Sequence, residues 1–319
     1  MEVKFNNPFE AKGNWYKGNL HTHTTNSDGG LSPQDTVKQY HQAGYHFLSI
    51  TDHWRLTTVE ENSGVLLIAG EEFHFGATEA KTNFHFVGLD LREELVYAED
   101  EIPMVKKKLG EIQPQEMIDL IKSQNGEIIV GHPYWSALTT NDLFSCHGYI
   151  GIEVFNTNCL YSVDKGYSLS HWDDLLIRGR NVFGFASDDA HHQFNDHRQN
   201  DLCGAWIMVK SEKLTVGDIM SSIKKGLFYA SWGPEIKNVE ISKNSIFVAT
   251  SPVRSISFIA PGGYGGYGEM FTALKRAPLQ EIEYKLRGQE KYIRIQCADT
   301  QGHMAWTNAN SLTDRAILG

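Results

Sequence analysis

The run Asn19-Leu20-His21-Thr22-His23 sets two imidazoles one residue apart, and Asp28 follows five positions after His23. On an extended chain side chains repeat with period two, so His21 and His23 face the same way and are able to grip one metal ion. This is the donor chemistry of a metallohydrolase.

Further donors fall in or just after short apolar runs. Phe47 to Ile50 leads into Thr51-Asp52-His53, and Val65 to Ala69 into Gly70-Glu71-Glu72. His85 lies inside the next run. Ile128-Ile129-Val130 leads to Gly131-His132, and Val182 to Ala186 leads to Ser187-Asp188-Asp189-Ala190-His191. Taking one carboxylate from each acidic pair, the set is His21, His23, Asp28, His53, Glu72, His85, His132, Asp189 and His191. Mixed imidazole and carboxylate donors suit Mn, Zn or Fe rather than the all-oxygen shells of Ca or Mg. Asp-x-His keeps both side chains on one face, which favours Asp189 over Asp188. His41, His46, His147, His171 and His303 stand outside any such pattern and read as packing or surface residues. His74, two residues beyond Glu72, reads equally as a wall of the site and as part of a polar layer.

The elements that must deliver these donors alternate between apolar strands and helices up to about residue 230. Ser32-Pro33 caps a helix through Asp35 to Tyr40 that stops at Gly44, and helical periodicity returns at Glu116 to Lys122 and Trp172 to Arg178. Strands are expected at Phe47 to Ile50, Val65 to Ala69, Phe84 to Leu89, Glu127 to Gly131, Gly151 to Phe155 and Val182 to Ala186. With the strand before His21, these make seven β units. Repeated β-then-α units imply a parallel sheet with its site at the carboxyl ends of the strands. Beyond Phe228-Tyr229-Ala230-Ser231 the chain turns β-rich, so residues 231–319 are expected to form a small antiparallel domain beside a hydrolase domain spanning 1–230. Arg92 to Gln113 fits no β/α unit and reads as a lid or a surface insertion. Pro261 to Gly268 is glycine-rich and reads as a hairpin connection or a loop at the barrel mouth.

Composition bounds the partners. The chain has 319 residues, 41% of them hydrophobic, and a formal net charge of −10. It buries a large core, and its charge disfavours stable binding to a phosphate backbone. The N-terminus lacks an apolar signal-peptide core and no window is long enough to span a membrane, so a cytoplasmic location is expected. The four cysteines have no C-x-x-C spacing and read as reduced thiols.

In order, His-x-His with a following Ser-Asp-Gly, Thr-Asp-His, Gly-x-Glu, His-Pro and Ser-Asp-x-Ala-His resemble the motifs of the PHP (polymerase and histidinol phosphatase) family of metal-dependent phosphoesterases. The likeness covers roughly the first 210 residues. It implies an α/β fold, a distorted (β/α)7 TIM-like barrel with a small C-terminal β-rich domain, and three divalent metal ions. His21, His23, Glu72 and Asp189 would hold one metal. Glu72 would bridge to a second bound by His85 and His132, and Asp28, His53 and His191 would hold the third. The pattern Gly70-x-Glu72 favours Glu72 over Glu71, whereas the doubled Asp188-Asp189 departs from the family's usual Ser-Asp-Ala-His.

Closely spaced divalent cations lower the pKa of a bridging water and stabilise charge on a phosphoryl group, giving a hydroxide nucleophile. The expected activity is therefore hydrolysis of a phosphate mono- or diester, with a small-molecule phosphate ester or a short nucleotide as substrate. Hydrolysis of a carbamate, amide or ester by the same centre is the alternative, and a noncatalytic metal-stabilised module is a third reading. Asp52 is a candidate for orienting a ligand ring or a water, and His192 and Arg198 are catalytic candidates. Tyr134, Trp135 and Arg198 are the substrate-binding candidates, Arg198 as a bidentate clamp on phosphate.

Overall fold

The structure, a computed structural model, describes residues 6–59, 64–96, 101–192, 200–261, 267–274 and 277–311. The helix expected after Ser32 runs Pro33–Gln42: the Ser32 hydroxyl accepts from the Asp35 N–H, Pro33 occupies the first turn, and Gly44 leaves with φ of 77°. The other two expected helices are Pro114–Ser123 and Leu169–Ile177. Each presents apolar side chains inward, with Met117, Ile118 and Ile121 on one and Trp172, Leu175 and Leu176 on the other.

The fold is mixed α/β, built on several sheets. In a five-stranded sheet, Phe183–Ser187, Gly151–Asn156, Glu127–Val130, Phe84–Leu89 and Gly70–Phe75 lie side by side. A second, larger sheet contains Asn14–Asn19 with Phe47–Leu48 and Leu66–Leu67 parallel to it. The two sheets touch at two single parallel bridges, Thr22 with Ala190 and His53 with Glu72.

This differs from an uninterrupted (β/α)7 barrel in two ways. Single bridges, rather than ladders, join the sheets. Moreover, Phe84–Leu89 runs antiparallel to both neighbours, because the connection from Gly70–Phe75 is too short to hold a crossover helix.

The large sheet also crosses residue 231. Asn14–Asn19 pairs with Trp206–Ser211, which pairs with Phe228–Ser231, which pairs in turn with Met304–Thr307. The later β-rich segment thus joins the sheet through Phe228–Ser231, two strands away from Asn14–Asn19. Its own core gathers Val239, Ile246, Val248, Phe258, Tyr284 and Ile295, while Trp306 packs into the main core around Phe73, Phe86, Trp172 and Phe183. Each such buried side chain contributes roughly 1.5–3 kcal/mol, so both clusters hold their surroundings rigid. Leu95, Ile102 and Ile112 are buried in the main core, so the described part of the Arg92–Gln113 stretch is anchored rather than a free surface insertion. Of the glycine-rich connection, residues 262–266 lie outside the described residues.

Candidate metal centre

Nine side chains from separate segments converge where the two sheets meet. They divide into His21, His23, Glu72 and Asp189; Glu72, His85 and His132; and His23, Asp28, His53 and His191, each set offering donor atoms within 4.8 Å of one another. Glu72 sits at the middle. Its Oε2 lies 3.2 Å from His21 Nε2, 3.1 Å from His23 Nε2 and 3.3 Å from His53 Nδ1. Its Oε1 lies 2.9 Å from His85 Nδ1 and 3.2 Å from His132 Nε2. Asp189 Oδ1 approaches His23 Nε2 at 3.1 Å and His21 Nε2 at 3.3 Å, and Asp28 Oδ2 lies 3.3 Å from His191 Nε2.

Local backbone explains the convergence. His21 and His23 follow the end of Asn14–Asn19, while the His53–Glu72 and Thr22–Ala190 bridges join four of the donor-bearing segments in two pairs. His132 and Asp189 adopt left-handed backbone, with φ of 25° and 52°, and Trp54 beside His53 has φ of 52°. Non-glycine residues held there cost on the order of 1–3 kcal/mol each, a strain that clusters at functional sites. Asp28 is returned to the cluster by a tight loop in which the Gly29 N–H bonds to the Thr24 carbonyl and the Thr25 N–H to the Leu31 carbonyl.

Strand alternation separates Glu71 from Glu72, and the left-handed backbone of Asp189, just past the end of Phe183–Ser187, separates it from Asp188. Glu71 is buried on the opposite face from Glu72, where its Oε1 accepts the Leu95 N–H, and burial pushes its pKa up to about 8. Asp188 accepts from the Tyr40 hydroxyl at 2.8 Å, the Ala205 N–H at 2.7 Å and the Cys203 N–H at 2.9 Å, and burial raises its pKa to about 7. Both are fold ties. Glu72 and Asp189 are the members of the pairs that face the histidines.

The electrostatics are those of a crowded donor set. Burial disfavours charge on Glu72 and Asp189, yet the surrounding imidazoles hold both below the usual carboxylate range. Burial likewise opposes protonation of His23, but its bonds to Asp189 and Glu72 override that and raise its pKa to about 10. His53, where burial wins, falls to about 4. Imidazole nitrogens from His21 and His23 lie 3.3 Å apart and face one carboxylate oxygen. Buried donors aimed at shared points need a positive charge between them, and divalent cations fit this set of nitrogen and carboxylate oxygen atoms. Such cations would replace the protons on the imidazoles.

Sequence reasoning missed Glu153. Its Oε1 lies 2.7 Å from His21 Nδ1, and its Oε2 accepts the His132 N–H at 2.8 Å and the Asn156 side-chain amide at 2.9 Å. Glu153 thus fixes the His21 ring with Nε2 turned to the cluster, and it anchors the backbone of His132. The signal was present as the one charged residue in the apolar run Gly151 to Phe155. His74 stands at the edge, its ring 5.0 Å from that of His53.

The other candidates are placed differently from one another. Asp52 turns away from the rings, as period two requires for the neighbour of His53. Its oxygens accept from the Thr24 N–H and hydroxyl, both at 2.6 Å, from the Ser27 hydroxyl at 2.8 Å and from the Thr57 hydroxyl. These bonds make Asp52 a clamp on the loop that carries Asp28. Trp135, 42% exposed, stands edge-on to His132 at 5.1 Å and His85 at 5.7 Å. Tyr134, beside it, carries the Lys165 ammonium over its ring at 5.3 Å. The His192 N–H bonds to Asp201 Oδ1 at 2.9 Å. Arg198 lies outside the described residues.

No protein-family model matches the chain, and no curated protein matches it. Among solved structures it is similar to a two-domain protein from Bacteroides vulgatus that contains a predicted PHP-like metal-dependent phosphoesterase. That match has 14% identity over 97% of this chain and 98% of the other, with a TM-score of 0.49. It is also similar to an amidohydrolase from Chromobacterium violaceum with bound sulfate and no metal, at 13% identity over 66% of this chain and 96% of the other, with a TM-score of 0.41. Both likenesses are distant. Among the described residues, no helix is long and apolar enough to cross a membrane.

Proposed function

We propose that the chain is a metal-dependent phosphoesterase that hydrolyses a phosphate mono- or diester at a centre of three divalent cations. The observation that supports this reading is the sharing of Glu72 between two donor sets, with a third set adjoining through His23. A structural metal closes with four ligands, whereas nine donors in adjoining sets suit ions that also present open positions to a substrate.

His21, His23, Glu72 and Asp189 would hold one ion; Glu72, His85 and His132 a second; and Asp28, His53 and His191 a third. Divalent cations at such positions supply a lowered pKa for water and positive charge against the developing phosphoryl oxyanion. The chain's own residues do the rest. Glu153 holds His21 in one tautomer, and Asp52 fixes the Thr24–Asp28 loop. The exposed face of Trp135 offers a wall for the organic part of a small phosphate ester or short nucleotide. Arg198 and His192 remain the proposed phosphate clamp and proton carrier. In the same reading the sheets are a distorted seven-unit barrel, with residues 231–319 as an appended β domain, and the protein works in the cytoplasm.

The test compares p-nitrophenyl phosphate, bis-p-nitrophenyl phosphate and p-nitrophenyl acetate with protein loaded with Mn, Zn or Fe. Turnover of a phosphate ester that disappears with chelator and in Glu72→Gln is expected. Turnover of the acetate alone would move the assignment to a carbonyl hydrolase, and turnover of none of them, with metal bound, to a noncatalytic module.

A further inference from the structure

The three strands that carry the metal centre at one end frame a separate cavity at the other. Glu127 begins the Glu127–Val130 strand, while Ile150 and Val182 directly precede Gly151–Asn156 and Phe183–Ser187. All three residues line a cavity of about 760 Å³. The proposed ligands His132 and Asp189 lie past the opposite ends of two of these strands. At a rise of about 3.3 Å per residue, the two places are roughly 15 Å apart or more.

The cavity has two kinds of wall. Its floor is apolar and rigid, made of the buried Tyr149, Ile150 and Val182. Its rim carries four cationic side chains, Lys122, Arg180, Lys224 and Lys225, against the single carboxylate of Glu127. In a chain with a net charge of −10, that local excess runs against the whole.

The cations are also positioned differently. Glu127 engages Lys122 and lies 3.8 Å from Lys224, so it neutralises one charge and steers a second. Arg180 is fixed by bonds to the Cys146 and Phe144 carbonyls, and carbonyls leave its charge uncompensated. Lys224 and Lys225 are exposed at the end of helix Val216–Lys224. The volume falls within the range of small-molecule sites, and a polar rim over an apolar floor orients a ligand that has both characters.

The geometry points to a second binding site here, for a small amphipathic organic anion with a flat apolar body and a phosphate, sulfonate or carboxylate head. The body would lie on Tyr149, Ile150 and Val182, with the head between Arg180 and the Lys224–Lys225 pair. This site is independent of the metal centre and of the reaction assigned to it.

Calorimetric titration of naphthalenesulfonate into the metal-loaded protein tests the proposal, with naphthalenemethanol as the neutral counterpart. Two variants locate the site: Lys224→Glu with Lys225→Glu reverses the rim charge, and Ser221→Trp, from a half-buried lining position, intrudes into the cavity. The sulfonate is expected to bind at least tenfold more tightly than the alcohol and to lose at least tenfold in each variant, with melting temperatures near that of the parent. The proposal is overturned if the parent does not bind the sulfonate at millimolar concentration, or if the alcohol binds equally well. It is equally overturned if either folded variant keeps the parent's affinity, which would place the sulfonate elsewhere.

Discussion

Glu153 Oε1 lies 2.7 Å from His21 Nδ1, while His21 Nε2, across the ring, lies 3.2 Å from Glu72 Oε2. One buried carboxylate thus sets which nitrogen of a proposed ligand faces the cluster. Glu153→Gln keeps the shape and removes the charge. It is expected to weaken metal binding by roughly 10–100-fold, the usual effect of losing a carboxylate behind a ligand histidine. Competition against a fluorescent chelator reads the affinity, and an unchanged value would reduce Glu153 to a packing residue.

Asp52 gathers four donors from Thr24, Ser27 and Thr57. Asp52→Ala strips the clamp from the loop that presents Asp28 and leaves those donors without their acceptor. A stability loss of about 1–3 kcal/mol is expected in denaturant unfolding. Metal analysis should show a drop in bound ions, with the Asp28, His53 and His191 set affected first. Full stoichiometry in the folded variant would contradict that role.

Arg294 is buried beneath Trp172 and forms two bonds with Asp173, at 2.7 Å and 2.6 Å, joining strand Tyr292–Ala298 to helix Leu169–Ile177. Asp173→Ala leaves the guanidinium buried without its counter-ion, and a loss of roughly 3–5 kcal/mol is expected from thermal or denaturant melts. A loss under 1 kcal/mol would mean that the pair contributes little to docking the later strands.

Burial raises the Glu71 carboxyl to about 8 in the folded chain, from 4.5 when unfolded. The unfolded state therefore releases this proton first, and the folded state loses relative stability as pH rises from about 4.5 through 8. Glu71→Gln, which retains an acceptor for the Leu95 N–H, removes that loss. The variant and the parent should match near pH 4.5, and the variant should be more stable at pH 9 by roughly 2–4 kcal/mol. Parallel stability curves across that window would contradict the assignment.

What was legible in the sequence was local. The helix Pro33–Gln42 is written in Ser32, Pro33 and Gly44, and the His21-x-His23 spacing carries its own geometry at a strand end. Alternation puts Glu71 and Glu72 on opposite faces, and the choice of Glu72 rests on the Gly70-x-Glu72 pattern of the family resemblance. Non-local pairing was not legible. Tyr229 pairs with Thr307 across nearly eighty residues, and nothing near either residue announces that the later strands extend the sheet begun by Asn14–Asn19. The hairpin of Gly70–Phe75 with Phe84–Leu89 was hidden because Glu71, Glu72 and His74 interrupt any apolar run in its first strand, so the expected strand stopped at Ala69. Glu153 belongs to none of the motifs that carry the resemblance and stands alone inside the strand Gly151–Asn156.

The central claim is that Glu72 joins two of three neighbouring ions. Anomalous diffraction at the manganese edge, from crystals of protein loaded with Mn, tests it most directly. Three peaks are predicted among the nine donor residues, with the Glu72 carboxylate touching two of them. A single ion, or ions held without Glu72, would contradict the account.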